Sequence, residues 1–201
     1  EGVADIEAKF ERWGVPMERR DEIRVLGRMS GDDGPTIADE VLDGPTVVDF
    51  GSRRLEVVAT PGHTPGHACL VDRAGGIVFT GDHVLPKIYP GLGLGGPTDT
   101  NPIADYLLSL DVIERFDDLE VAPGHAYRFR GLAERCAEIR QHHLKRSMEA
   151  EQVLAEQPGA TTFEIASRLS WTAGWGRMTG FFLFSALSQT EQHLEFVAAG
   201  R

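Results

Sequence analysis

Three short glycine-containing segments carry the histidine and aspartate side chains with the clearest chemical potential, and each follows a stretch that is predicted to be a β-strand. They are Pro61-Gly62-His63-Thr64-Pro65-Gly66-His67, Thr80-Gly81-Asp82-His83 and Ala122-Pro123-Gly124-His125. Loops after strands often present catalytic groups, and a neighbouring glycine lets the chain turn sharply towards a shared ion. One candidate per strand and loop does not fit a zinc finger, which needs closely spaced pairs of Cys or His.

In this order, the Thr60–His67 segment, Gly81-Asp82 and Pro123-Gly124-His125 resemble the motifs of the metallo-β-lactamase superfamily. The resemblance implies that His63 binds one metal ion, that Asp82 bridges two ions as the catalytic carboxylate, and that His125 binds the other ion. For His67 it implies a place behind His63, where the ring packs or hydrogen-bonds to orient that ligand. We expect His83 either to line the pocket or to take part directly.

The remaining ligands of this family come from an upstream H-x-H-x-D-H motif, which does not occur in this sequence. Either the chain is a piece of a longer protein or it is a degenerate member that has lost half of the metal site. Because the three downstream motifs are intact, we expect a piece of a longer protein. Because half of the metal site is absent from it, we expect this piece to be inactive by itself. The resemblance implies two zinc ions in the full-length protein, with iron or manganese as alternatives.

Hydrophobic periodicity predicts an α/β chain. Residues 4–28 are predicted to form two helices that Gly14-Val15-Pro16 separates, and a helix over 102–116 is expected to bury Ile103, Leu107, Leu110 and Ile113. Strands are predicted over 46–50, 55–59, 68–72, 77–80 and 119–122. The resemblance implies the αββα sandwich of the superfamily, in which helices flank two sheets and the metals lie at one edge, with the N-terminal part missing.

A long helix is predicted over 131–156, with Leu132, Cys136, Ile139 and Leu144 on its buried side, and Gln157-Pro158-Gly159 ends it. We therefore predict a lactamase-like domain over 1–157 and a small helical module over 158–201, which the resemblance identifies as winged-helix-like. In that module, we expect Trp171, Trp175 and the Phe181–Phe184 cluster to pack between the module and the lactamase-like domain, with a substrate or partner surface as the alternative. His142 and His143 are expected on a helix surface, and His193 is expected to be structural or exposed.

Composition narrows the class of protein. Acidic residues outnumber basic ones by 31 to 20, which gives a net charge of -11 and disfavours general binding to nucleic acids. No stretch approaches the length of apolar chain that a membrane span needs, so we expect a soluble protein. Cys69 and Cys136 lie in apolar settings that favour buried, reduced thiols, which fits a cytoplasmic location.

The predicted function is that of a metal-dependent hydrolase which cleaves an ester or thioester of a small molecule through a metal-bridging hydroxide. A ribonuclease-type phosphodiesterase of the same fold is the first alternative. A binding module with a vestigial metal site is the second, although the charges of residues 161–201 balance and show no basic recognition helix. An iron-dependent oxidoreductase of the same fold is the third. The sequence leaves the oligomeric state open.

Overall fold

The computed structural model of the chain describes residues 3–29, 41–42, 46–96 and 98–200. They divide between two compact units, one formed by Asp39–His143 and the other by Glu1–Ala38 together with Leu144–Arg201. The first unit contains the sheet and all three candidate segments. None of the helices in the described part of the chain is long and apolar enough to cross a membrane.

A five-stranded sheet forms the centre of the first unit. Its strands are β1 (Thr46–Asp49), β2 (Arg54–Ala59), β3 (Ala68–Asp72), β4 (Ile77–Gly81) and β5 (Glu120–Pro123), in that spatial order. The alternating, β-branched stretches thus form strands where expected, and the α/β class is confirmed. The described residues contain this one sheet, whereas the sandwich implied by the resemblance has two.

The direction of the last two strands positions the candidate loops. Strands β1 to β4 run antiparallel to one another, whereas β5 runs parallel to β4. Since parallel neighbours end at the same edge of a sheet, Asp82 after β4 and His125 after β5 emerge side by side. The register between these strands shifts between Phe79 and Gly81, directly before Asp82.

Helix α3 (Pro102–Ile113) links β4 to β5 through a short 3₁₀ turn, Glu114–Phe116. Asn101 caps it by accepting hydrogen bonds from the amides of Ile103 and Ala104. The buried face consists of Ile103, Ala104, Tyr106, Ser109, Leu110 and Ile113. Leu107, which periodicity placed on this face, is only half-buried, because Tyr106 and Ser109 turn inward instead.

Helix α4 (Leu132–Glu156) contributes its first three turns to the sheet unit and the rest to the helical unit. Leu132, Cys136 and Ile139 are buried as predicted, but the predictions that Leu144 is buried and that His143 lies on the helix surface were wrong. Leu144 is exposed and His143 is buried instead, with its ring edge-on to Tyr106 at 5.3 Å between centroids. A helical wheel cannot distinguish these neighbours, because a ring that packs on an aromatic partner satisfies the core as well as leucine does.

The helical unit combines both ends of the chain: α1 (Val3–Trp13), α2 (Met17–Met29), α5 (Thr162–Arg168) and α6 (Gly180–Ala198), with a 3₁₀ turn at Trp175–Arg177. Helices α1 and α2 share one apolar cluster with α6, and Trp171 and Trp175 pack against it, which supports the packing role expected of the two tryptophans. Phe182, which belongs to the cluster that was expected to pack, is instead 72% exposed. No strand occurs among the described residues of this unit. The predicted boundary at 157 stays a prediction.

Candidate metal centre

Asp82 lies between two of the predicted ligands and presents a different oxygen to each. Nε2 of His63 is 3.7 Å from Oδ2, and Nε2 of His125 is 3.4 Å from Oδ1. The side chain of His63 is 15% exposed and that of His125 is 68% exposed, so the first imidazole is held inside the fold and the second lies at the rim. The sheet edge therefore brings together all three residues of the predicted metal site.

The tautomer of His63 follows from its backbone partner. Nδ1 lies 2.6 Å from the carbonyl oxygen of Gly91, and because a carbonyl only accepts, Nδ1 must carry the proton. When the ring is neutral, the lone pair of Nε2 therefore faces Asp82. A lone pair and a carboxylate oxygen that face each other at 3.7 Å are two acceptors without a donor.

The donors at Asp82 match the chemistry of a divalent metal. Oδ1 of Asp82 is buried and accepts no hydrogen bond from the described residues, so this oxygen is open to a cation. Neutral imidazole nitrogens and a carboxylate suit zinc, iron or manganese. Among the described residues, however, no three His, Cys, Asp or Glu side chains are close enough to enclose one ion. Each imidazole instead forms a two-residue pair with its own oxygen of Asp82.

Glycine is required where the His63 loop passes α3. Gly62 has a φ of +134°, and a Cβ built on it would lie 2.5 Å from Cβ of Tyr106. The hydroxyl of Ser109 on the same helix donates to the carbonyl of Pro61 at 2.8 Å. The loop therefore lies directly on the buried face of α3, and a side chain at residue 62 would push it away.

A backbone hydrogen bond joins the other two loops. The amide of Gly124 donates to the carbonyl of Gly81 at 2.7 Å, one residue away from both His125 and Asp82. A Cβ on Gly124 would lie 2.8 Å from Oδ1 of Asp82, so the absence of a side chain at residue 124 leaves space for this oxygen. Ala126 follows with a φ of +72°, a conformation that alanine adopts only at a cost.

His67 lies beside His63, and its role behind that residue stays a prediction. Its ring is edge-on to His63 with centroids 6.1 Å apart, and its Nδ1 lies 2.8 Å from the hydroxyl of Thr60. That hydroxyl also lies 3.3 Å from the thiol of buried Cys69. Burial lowers the pKa of His67, so the ring stays neutral and acts as a packing and hydrogen-bonding group.

His83 is fully buried between His67 and Tyr106, with ring centroids 5.6 Å and 4.7 Å away, respectively. Neither of its ring nitrogens makes a hydrogen bond of ordinary geometry among the described residues, although the backbone of Ser109 acts on the ring and raises its pKa. Burial is the main reason why the pKa of His83 falls to about 3, and the neighbouring His67 adds to it. His83 therefore lies under the site as a neutral ring, on the inner side of the loop that carries Asp82.

The segment after Asp82 is anchored from α4. The buried guanidinium of Arg135 donates to the carbonyls of Leu85, at 2.7 Å, and Ile88, at 3.0 Å. Between these anchors, Lys87 is exposed and its ammonium group lies 5.4 Å from the ring centroid of Tyr127. Tyr127 follows His125 by two residues, so a cation and an aromatic ring flank the outer side of the candidate site.

Sequence reasoning missed the residues that hold the loops: Gly91, Tyr106, Ser109 and Arg135. Tyr106, Ser109 and Arg135 donate to backbone carbonyls far away in sequence, whereas the backbone carbonyl of Gly91 accepts from the side chain of His63. Only Gly91 belonged to a segment with a visible signal, the glycine-rich stretch 91–97. That stretch pairs with the His63 loop, since Leu94 donates to the carbonyl of His63 at 2.8 Å.

Comparison with known proteins identifies a family. The model of the metallo-beta-lactamase superfamily matches residues 5–125. An acyl-coenzyme A thioesterase from Gallus gallus is 30% identical over 117 residues, which cover 56% of this chain and 40% of the relative. A hydroxyacylglutathione hydrolase from Mesorhizobium japonicum is 33% identical over 92 residues, which cover 46% of this chain and 34% of the relative. The chain thus spans two-fifths or less of these two relatives.

The fold has a solved counterpart. A metallo-beta-lactamase family protein from Thermus thermophilus superposes with a TM-score of 0.73 at 26% identity, covering 98% of this chain and 60% of that one. The family model includes all three segments that carry His63, Asp82 and His125. The chain therefore belongs to the metallo-beta-lactamase superfamily.

Proposed function

We propose that this chain forms part of a metal-dependent hydrolase that cleaves a thioester or ester of a small molecule, with His63, Asp82 and His125 as metal ligands. The observation that carries the proposal is the arrangement of Asp82, whose two oxygens face two different imidazoles. A carboxylate that binds a single ion does not need its two oxygens to face two different imidazoles. It is the arrangement expected of a carboxylate that bridges two metal ions.

When bound, the metal supplies a Lewis acid that polarises the scissile carbonyl and lowers the pKa of a water molecule towards neutrality. The protein residues hold the geometry for this step. His63 is fixed in one tautomer by the carbonyl of Gly91, and the bond between Gly124 and Gly81 fixes His125 beside Asp82. Buried His83 and half-buried His67 exclude water from the inner side of the site.

Two observations favour a thioester with an anionic tail. Both relatives above are named for activity on such compounds, an acyl-coenzyme A and a hydroxyacylglutathione. On this chain, exposed Lys87 over the ring of Tyr127 offers a cation and an aromatic face beside His125. In a protein with a net charge of -11, a local cation of this kind attracts a small anion, whereas the whole molecule repels a long polyanion.

The metal site is tested first by binding. The described residues alone do not enclose an ion. On a version extended upstream to supply the remaining ligands, we expect calorimetric titration to detect Zn²⁺ or Co²⁺ binding and Asp82→Asn to abolish it, because the neutral amide loses the charge that both imidazoles share. His142→Gln is the matched control, since His142 lies outside the three loops and stacks on Tyr89. Equal binding by wild type and Asp82→Asn would contradict the assignment of the ligands.

The reaction is tested on a version extended upstream through the H-x-H-x-D-H motif. We expect elemental analysis to find about two metal ions per chain, and we expect metal-dependent release of thiol from acyl-coenzyme A or a hydroxyacylglutathione. Degradation of single-stranded RNA without thioester cleavage would favour the phosphodiesterase alternative. One iron per chain with thiol-linked oxygen uptake would favour the oxidoreductase. Failure of the extended version to bind any metal would favour the alternative in which the protein is a binding module with a vestigial metal site.

A further inference from the structure

Helix α3 contacts the two loops that carry His63 and Asp82. Its Tyr106 is fully buried, and its hydroxyl donates to the backbone carbonyl of His83, the residue after Asp82. The Cα and Cβ of the same residue lie where a side chain on Gly62, the residue before His63, would have to be. One turn along, Ser109 donates to the carbonyl of Pro61. A single helix face therefore fixes the backbone beside two predicted ligands.

We propose that Tyr106 is a positioning residue that sets the separation between His63 and Asp82. Nε2 of His63 and Oδ2 of Asp82 lie 3.7 Å apart. This inference rests on the metal site proposed above. The phenol hydroxyl holds the peptide between His83 and Val84, and the start of the side chain supports the peptide that precedes His63.

The surroundings of Tyr106 make it rigid. The rings of His83 and His143 lie edge-on to it, with centroids at 4.7 Å and 5.3 Å. Burial raises the pKa of Tyr106 well above its ordinary value, so the phenol keeps its proton and donates throughout the neutral and mildly alkaline range. Phenylalanine retains the ring and its packing but removes the donor, so Tyr106→Phe isolates the hydrogen bond to His83.

The experiment uses the version extended upstream that supplies the remaining ligands, and it measures Co²⁺ affinity and the visible absorption of the Co²⁺-loaded protein for wild type, Tyr106→Phe and Ser109→Ala. Removing a group that orients metal ligands weakens metal binding by roughly 10- to 100-fold. We expect about a 10-fold weaker affinity for Tyr106→Phe, because it acts through the backbone, with a shifted cobalt band. Ser109→Ala should lose less, since Ser109 bonds Pro61, two residues before His63. Tyr89→Phe, a tyrosine outside the three loops, should change neither value.

A residue that only stabilised the fold would lower the melting temperature of the metal-free chain and leave the affinity and spectrum of the folded protein unchanged. If wild type binds Co²⁺ and Tyr106→Phe binds it equally well with the same spectrum, this inference alone is wrong. If wild type binds no Co²⁺, the proposed function fails and the inference fails with it. Circular dichroism before each titration confirms that the variants are folded.

Discussion

The carbonyl oxygen of Gly91 lies 2.6 Å from Nδ1 of His63 and thereby determines which nitrogen of that ring faces Asp82. At a pH at which the ring is neutral, we expect nitrogen-15 NMR to show His63 with its proton on Nδ1. Addition of Zn²⁺ should then shift the Nε2 resonance and leave Nδ1 protonated. A proton on Nε2 in the metal-free chain would contradict this prediction, because Nε2 would then have no lone pair for a metal.

Gly62 should tolerate no side chain. We expect Gly62→Ala to lower the free energy of unfolding by about 3 kcal/mol, because a φ of +134° strains alanine and its Cβ would overlap Tyr106. Gly66→Ala, in the same loop, has open space around the new Cβ and should change stability by less than about 0.5 kcal/mol. Urea unfolding measures both, and equal effects would show that Tyr106 does not confine Gly62.

Arg135 should stabilise the segment after Asp82. We expect Arg135→Met to lower the free energy of unfolding by about 2 kcal/mol, because the carbonyls of Leu85 and Ile88 lose a charged donor inside the fold. Arg135→Lys should recover less than half of this, since one ammonium cannot reproduce the fork of the guanidinium. Arg128→Met serves as the control, because Arg128 is exposed and lies 3.9 Å from Glu120. Thermal and urea unfolding of the three variants should follow this order.

The two cysteines should be unreactive while the chain is folded. Burial raises the pKa of Cys69 and of Cys136 from 9.0 to about 12, and only the thiolate reacts with disulfide reagents. We expect no thiol to react with Ellman's reagent at pH 8 in buffer, and both to react in urea. Rapid reaction of either thiol in the native chain would show that its part of the core opens readily.

The raised pKa values of the two thiols also predict how the free energy of unfolding depends on pH. Between pH 9 and 12 the unfolded chain releases thiol protons that the folded chain retains, so the free energy of unfolding falls as the pH rises. Each thiol contributes at most about 1.4 kcal/mol per pH unit to this slope. Cys69→Ala should reduce the slope, whatever it does to stability at pH 8. An unchanged slope would mean that Cys69 does not keep its proton in the folded chain.

The strands and the three ligand loops were predictable because local sequence determines them. Alternating β-branched residues mark β2 and β3, and glycine next to His63, Asp82 and His125 marks sharp turns after strands. The order of these segments led to the family, which the family model then confirmed. The roles of the three side chains as metal ligands stay a prediction.

The contacts that hold the loops could not be predicted because they join distant parts of the chain. Nothing near Tyr106 in the sequence indicates that its hydroxyl reaches the carbonyl of His83, and Arg135 acts on a segment about fifty residues earlier. The placement of helices α1 and α2 could not be predicted for the same reason, because it depends on contacts with distant parts of the chain. Their order along the chain assigned them to the lactamase-like part, whereas the structure groups them with α5 and α6.

The hydrogen bond between the amide of Gly124 and the carbonyl of Gly81 also bears on protein engineering. Because this main-chain link lies next to both Asp82 and His125, the backbone itself contributes directly to the spacing of these two groups. A laboratory that wished to alter the metal preference of the proposed centre could therefore change the length of the chain on either side of this link as well as the donor groups themselves.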